Sequence, residues 1–330
     1  MNFRTLSDLN DLILNHLESI PEDVDLVVGI PRSGLLVANM IALYKNLPLT
    51  DMASFLEGRL IPCGNTRKRT NWITDIHQAR RILLVDDSFD SGRSMQEARE
   101  KIRNMECSSK VLTCAAYVTP SNSNYYPDLY FEVCKGPRMF EWNYLHSVHL
   151  TRACCDLDGV LCRDPLPEEN DDGENYRAFL QNVPARVAPT FEIAHIITAR
   201  LEKYRPETEA WLKKNHIAYG DLIMSPYATM QERVNAKSHG RFKADYYSSL
   251  KDTYIFIESS QWQAAEISEI TGKAVFCLEN HTFYPEGYQV RLHSEMRTSA
   301  NTLRIEIAHV AKRVLPEQVV RFLKKLLHWK

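Results

Sequence analysis

Two pairs of carboxylates mark where this chain of 330 residues could do chemistry: Asp86 with Asp87, and Asp156 with Asp158. The first pair follows the apolar run Ile82-Leu83-Leu84-Val85 and leads into Ser88-Phe89-Asp90-Ser91-Gly92-Arg93-Ser94. Adjacent acids suit vicinal hydroxyls, held directly or through Mg2+. The residues that follow suit a phosphate. Ser91 and Ser94 supply hydroxyl donors, and Gly92 allows close backbone approach. A helix starting near Ser91 aims free N–H groups and a positive dipole end at an anion. The second pair, in Asp156-Leu157-Asp158-Gly159-Val160-Leu161, is spaced i, i+2 after Ala153-Cys154-Cys155. Two such carboxylates can share one divalent ion and one reacting phosphate. The first would attack phosphorus, while the second protonates the leaving oxygen and later activates water. A third run, Val27-Val28-Gly29-Ile30-Pro31-Arg32-Ser33-Gly34, offers the Arg32 fork and the amides around Ser33-Gly34 to a pyrophosphate. A capped strand-to-helix turn, or an Asp-Gly turn with solvated acids, produces similar runs, so companion residues elsewhere must decide.

The elements that would position these groups repeat one grammar: a short apolar strand, a polar or glycine turn, then a helical pattern. Strands are predicted at residues 24–30, 82–86 and 111–118, and again at 153–157, 193–198, 254–258 and 274–278. Helical patterns between most of them give two parallel-sheet α/β domains, whose ligands bind where strands end. The aromatic stretch Phe140-Glu141-Trp142-Asn143-Tyr144 precedes the junction, so domains are expected over 1–148 and 149–298, with a helical tail over 299–330 broken at Pro316. Each is long enough to bury a core. A net charge of -2 gives no general pull toward nucleic acid, and no such partner is expected. Apolar stretches such as Leu35–Leu43 fall short of a membrane span, and the N-terminus lacks the apolar core of a secretory signal. Eight cysteines without a CxxC pair read as free thiols in a reducing cytoplasm. The histidines, His195 included, show no ligand spacing. In the tail, apolar residues from Val319 to Trp329 alternate with Arg321, Lys324, Lys325 and Lys330. That stripe suits peripheral contact with a membrane or, more simply, packing on the protein's own core.

Residues 84–95 resemble the motif by which type I phosphoribosyltransferases bind phosphoribosyl pyrophosphate (PRPP), and residues 27–34 resemble that family's pyrophosphate loop. The resemblance implies that Asp86 and Asp87 hold the ribose hydroxyls, directly or through PRPP-bound Mg2+. Ser91, Gly92, Arg93 and Ser94 would hold the 5-phosphate, and Pro31, Arg32, Ser33 and Gly34 the pyrophosphate. Asp90 falls where hypoxanthine-type members carry a general base. Gly58-Arg59 and the basic run Arg67-Lys68-Arg69 fall where the family has a mobile loop; a solvated face explains them equally well.

Residues 156–161 resemble motif I of the haloacid-dehalogenase-like (HAD) phosphatases, and the likeness extends over about 152–280. It implies Asp156 as nucleophile and Asp158 as acid and base. Thr198 would grip the phosphate, and Lys243 (or Lys237) would neutralise charge. Mg2+ would lie on Asp156, Asp158 and Glu258. Glu258-Ser259-Ser260 departs from the two acids common there, which puts metal binding and activity in question. The spacings leave no room for a large cap. The expected fold is therefore two Rossmann-like domains, a type I phosphoribosyltransferase fold followed by a capless HAD-like fold. Such a fusion resembles bacterial machinery that installs ribofuranose in surface polysaccharides. It implies transfer of 5-phosphoribosyl from PRPP to the hydroxyl of a glycan or glycolipid, then removal of the 5-phosphate. This would take place in the cytoplasm, at the inner membrane face if the tail docks there; the oligomeric state is open. Two alternatives stand: nucleobase salvage with nucleotidase activity, and a PRPP sensor with an inert phosphatase site.

Overall fold

The computed structural model describes residues 1–62, 72–105, 109–120, 125–236 and 239–288. In chain order the first half runs β1 (Asn2–Arg4), α1 (Leu6–His16), β2 (Leu26–Gly29), α2 (Ser33–Lys45), β3 (Leu49–Asp51), α3 (Met52–Leu56), β4 (Arg81–Phe89), α4 (Arg93–Arg103), β5 (Lys110–Val118), β6 (Leu129–Val133) and β7 (Arg138–Phe140). Five of these strands form a wholly parallel sheet in the order β3-β2-β4-β5-β6. Both faces are covered, which is why its inner strands read as continuous apolar runs. Alternate residues serve separate cores: Val27, Leu83 and Val85 pack with α1 and α2. Leu26, Val28, Ile82 and Leu84 pack with α3 and α4 on the other side. At the start of α1, Thr5 and Asp8 cap each other's backbone N–H.

After the short helical turns Glu141–His146 and Val148–Arg152 come β8 (Ala153–Cys155), α5 (Glu174–Asn182), β9 (Ile193–Leu201), α6 (Arg205–Lys214), β10 (Tyr219–Ser225), α7 (Met230–Ala236), α8 (His239–Ser249), β11 (Ile255–Glu258), α9 (Gln261–Thr271), β12 (Val275–Cys277) and β13 (Thr282–Tyr284). The second sheet has the order β10-β9-β8-β11-β12-β13, parallel except for the last pair. Two parallel α/β sheets are thus present, as the sequence predicts.

Several predicted boundaries move. β4 continues to Phe89, pairing Asp86 with Ala115 and Ser88 with Tyr117, so the acidic pair lies within a strand. The helix expected near Ser91 begins at Arg93. The three-residue strands β1 and β7, which the sequence did not reveal, pair in parallel. They carry Phe3 and Met139 into the core of the second half. There the Phe3 ring lies 4.3 Å from Phe276 and 5.2 Å from Phe283. The basic run 67–69, Lys237 and the tail 299–330 fall outside the described residues. Among the described residues no helix is long and apolar enough to cross a membrane. The six described cysteines are free and buried.

Candidate functional sites

In the first half, adjacency of β2 and β4 brings together motifs more than fifty positions apart. Gly29 pairs with Val85, so the turn Ile30–Arg32 and the start of α2 lie beside Asp86. The closeness requires glycine at 34. A Cβ there would sit 2.8 Å from the Val85 carbonyl oxygen and 2.9 Å from Asp86 Cα. The Pro31–Arg32 peptide is cis, and both residues are exposed. Asp86 Oδ1 accepts from the Asp87 N–H at 2.9 Å. Burial, then the neighbouring charge of Asp87, pushes the Asp86 carboxyl up to about 8. Asp87 is 6% exposed, and its Oδ2 accepts from Trp142 Nε1 at 2.9 Å.

Beyond β4 the chain turns through Asp90 and Ser91 to Gly92, whose φ of 76° fits it to cap α4. A Cβ on Gly92 would meet the Phe89 ring at 2.5 Å. Ser91, Arg93 and Ser94 are exposed around this helix start, an arrangement open to an anion. Asp90 is also exposed, outside the Asp86–Asp87 pair. Gly58-Arg59 is held locally, with Arg59 paired to Glu57.

In the second half, three strands and a helix supply four of the predicted residues. Asp156 follows β8, Thr198 lies on β9 and Glu258 ends β11, while α8 supplies Lys243. The Lys243 side chain is fully buried, with Nζ 2.6 Å from Asp156 Oδ2 and 2.7 Å from Glu258 Oε2. Burial opposes its charge, but the two carboxylates outweigh that and hold its pKa above the ordinary lysine value. Burial raises the Asp156 pKa far above the carboxylate range; Lys243 lowers it and Glu258 raises it. Fully ionised, this buried trio carries one surplus negative charge, which favours uptake of a proton or cation.

Mg2+ commonly takes one or two protein carboxylates, the rest of its shell coming from phosphate and water. Asp156 and Glu258 fit that demand. Among the described residues no set of three His, Cys, Asp or Glu side chains gathers as a metal cluster. The ligand role expected of the Asp158 side chain is the one least served. Its carboxylate is taken bidentately by Arg200, with Nε–Oδ2 3.0 Å and Nη2–Oδ1 2.6 Å. Sequence reading missed Arg200, although its place two residues after Thr198 on one strand puts both on the same face.

Asp156, Asp158, Thr198 and Lys243 line a cavity of about 680 Å³, together with Asp164, Arg186, Arg233 and His239. None of the last four was anticipated. Asp164 lies at the exposed side of this cavity, where partial desolvation and then nearby Asp158 raise its pKa. Arg186 donates to the Gly159 carbonyl, and Arg233 Nη1 to that of Ala199 at 2.5 Å.

Residues 4–146 match the family model described as "Phosphoribosyl transferase domain". That segment of the chain is therefore a domain of phosphoribosyltransferase type. Solved structures similar to it include a purine phosphoribosyltransferase from Pyrococcus horikoshii, 19% identical with a TM-score of 0.31, covering 43% of this chain and 92% of that one. A xanthine-guanine-hypoxanthine phosphoribosyltransferase from Helicobacter pylori is 16% identical with a TM-score of 0.33, over the same shares of the two chains. An adenine phosphoribosyltransferase from Leishmania tarentolae is 16% identical with a TM-score of 0.28, covering 40% of this chain and 70% of that one. No curated protein matches the chain.

Proposed function

We propose that the chain transfers a 5-phosphoribosyl group from PRPP to a glycan or glycolipid hydroxyl, and then removes the 5-phosphate. The observation that carries this reading is the buried Asp156–Lys243–Glu258 trio, on the same chain as a phosphoribosyltransferase-type domain. In the first step the bond from the anomeric carbon to pyrophosphate breaks through an oxocarbenium-like state. Arg32 and the α2 start receive the pyrophosphate, while Asp86 and Asp87 hold the ribose hydroxyls. The acceptor oxygen attacks from the opposite face, and Asp90 takes its proton. Fixed charge and positioning supply most of the acceleration.

In the second step an Asp156 oxygen attacks phosphorus, and the ribose 5-oxygen leaves with a proton from Asp158. Water then cleaves the aspartyl phosphate, yielding inorganic phosphate and restoring both acids. Mg2+, held by Asp156 and Glu258, would offset the charge of the phosphoryl oxygens. The sheet order around β8, with β9 on one side and β11 on the other, supports a HAD-like second domain. Arg200 is fully buried while the Asp158 carboxylate it holds keeps partial access to the cavity, which Asp164 also faces.

A sugar hydroxyl is the acceptor that makes the pair of steps productive, because dephosphorylation would undo the synthesis of a nucleotide. The test incubates the protein with PRPP, Mg2+, and glycan and nucleobase acceptors, comparing the parent chain with Asp156→Asn by mass spectrometry. We expect a ribosyl-glycan from the parent and a phosphoribosyl-glycan from the variant. Nucleoside and nucleotide in their place would establish salvage, and PRPP binding without turnover would establish a sensor.

A further inference from the structure

We propose that Trp142 is a positioning residue for the ribose-diol clamp, its indole N–H fixing the aim of the Asp87 carboxylate; the proposal rests on the phosphoribosyl reading above. Asp87 is nearly buried, and the Trp142 Nε1–Oδ2 hydrogen bond of 2.9 Å reaches it from a residue 55 positions away. An indole is a donor only and carries no charge. It can orient a carboxylate without neutralising it, whereas Lys or Arg at the same place would compete with a ligand hydroxyl or Mg2+ for the negative charge.

The donor is braced independently of its acceptor. The indole stacks on Phe140 at 4.7 Å with planes 9° apart, and on Tyr117 at 6.2 Å. Its chain neighbour Glu141 is buried and accepts from the Leu6 N–H at 2.7 Å, and it lies 2.6 Å from His281 Nδ1 of the second half. Contacts from both halves therefore fix the backbone next to Trp142. The aromatic stretch that precedes the junction thus holds the packing rings and also a polar contact to the acidic pair.

Titration calorimetry on the full chain, with Mg2+ and with PRPP, ribose 5-phosphate and pyrophosphate as separate ligands, tests this. Trp142→Phe keeps the stacked ring and removes the N–H. We expect both ribose ligands to bind about tenfold more weakly, the scale of one hydrogen bond to a charged group, while pyrophosphate binding is unchanged. Equal loss for all three ligands, or no loss for the ribose ligands, overturns the assignment. A second arm adds Asp87→Asn: the double variant should bind PRPP within about twofold of Asp87→Asn alone, and full additivity overturns the assignment even if Trp142→Phe perturbs folding. The parent chain is measured first. If it binds pyrophosphate but neither ribose ligand, the phosphoribosyl reading itself fails and this inference falls with it.

Discussion

At the scale of single residues, both sites are built on carboxylates held out of water, and the two solve the resulting charge problem differently. The Asp156–Glu258 pair has an internal cation. Removing it by Lys243→Met leaves two buried carboxylates without a partner, at a cost of about 3–5 kcal/mol. Chemical denaturation should show that loss, and adding Glu258→Gln should recover part of it; an unchanged midpoint would mean the trio is not buried as described. Among the described residues no cation pairs with Asp86 or Asp87. Asp86, pushed up to about 8 by burial and by Asp87, keeps its proton where an unfolded chain has lost it. A carboxyl raised in the folded state subtracts stability as pH climbs from the unfolded value toward the folded one. Ligand binding has the opposite slope. If the ionised form receives Mg2+ or a hydroxyl, PRPP binds more tightly at about pH 8.5 than at about pH 6.5 and releases a proton at the lower value. Calorimetry in two buffers of different ionisation enthalpy measures both quantities, and affinity independent of pH would remove Asp86 from the binding equilibrium.

At the scale of elements, the decisive contact is that of the α2 start against β4. Gly34→Ala would drive a methyl group into the Val85 carbonyl and the Asp86 backbone. Backbone must then move, at a cost of about 1–3 kcal/mol, and pyrophosphate and PRPP binding should both fall while the fold of the second half is unaffected. Unaltered PRPP binding in this variant would separate the α2 turn from the site. The same strands show how far sequence carries. The sheet centres were legible because strands buried on both faces are apolar throughout, as in Leu26–Val28, Ile82–Val85 and Ile255–Ile257. Their ends were not. Polarity begins at Asp86, but hydrogen bonding to β5 runs on to Phe89, and no side-chain pattern marks where a ladder of backbone bonds stops. Arg200 was hidden because a buried cation on an apolar strand reads as an edge residue until its partner is known. Trp142 was visible as an aromatic, but its target lies on a strand distant in sequence.

At the scale of the whole molecule, the first residues of the chain belong to the core of the half that comes last. Phe3 is 1% exposed and enters the cluster containing Leu157, Ile257 and Phe276. Strands as short as β1 and β7 have little stability of their own, so the pair depends on this docking. Replacing Phe3 with Ala removes a buried ring and should cost about 3–5 kcal/mol. The loss should fall mainly on the second half, although the substitution lies at the start of the first. Hydrogen exchange can locate it: protection should drop along β11, β12 and β13, with the β2–β4 ladder less affected. Leu9→Ala, in the core shared by α1 and α2, is the matched control and should give the reverse pattern. If Phe3→Ala weakens only the first half, the two halves are joined without sharing a core. If it weakens the second, cutting the chain between the halves would deprive the second half of part of its own interior, and the two sites would have to be studied on one polypeptide.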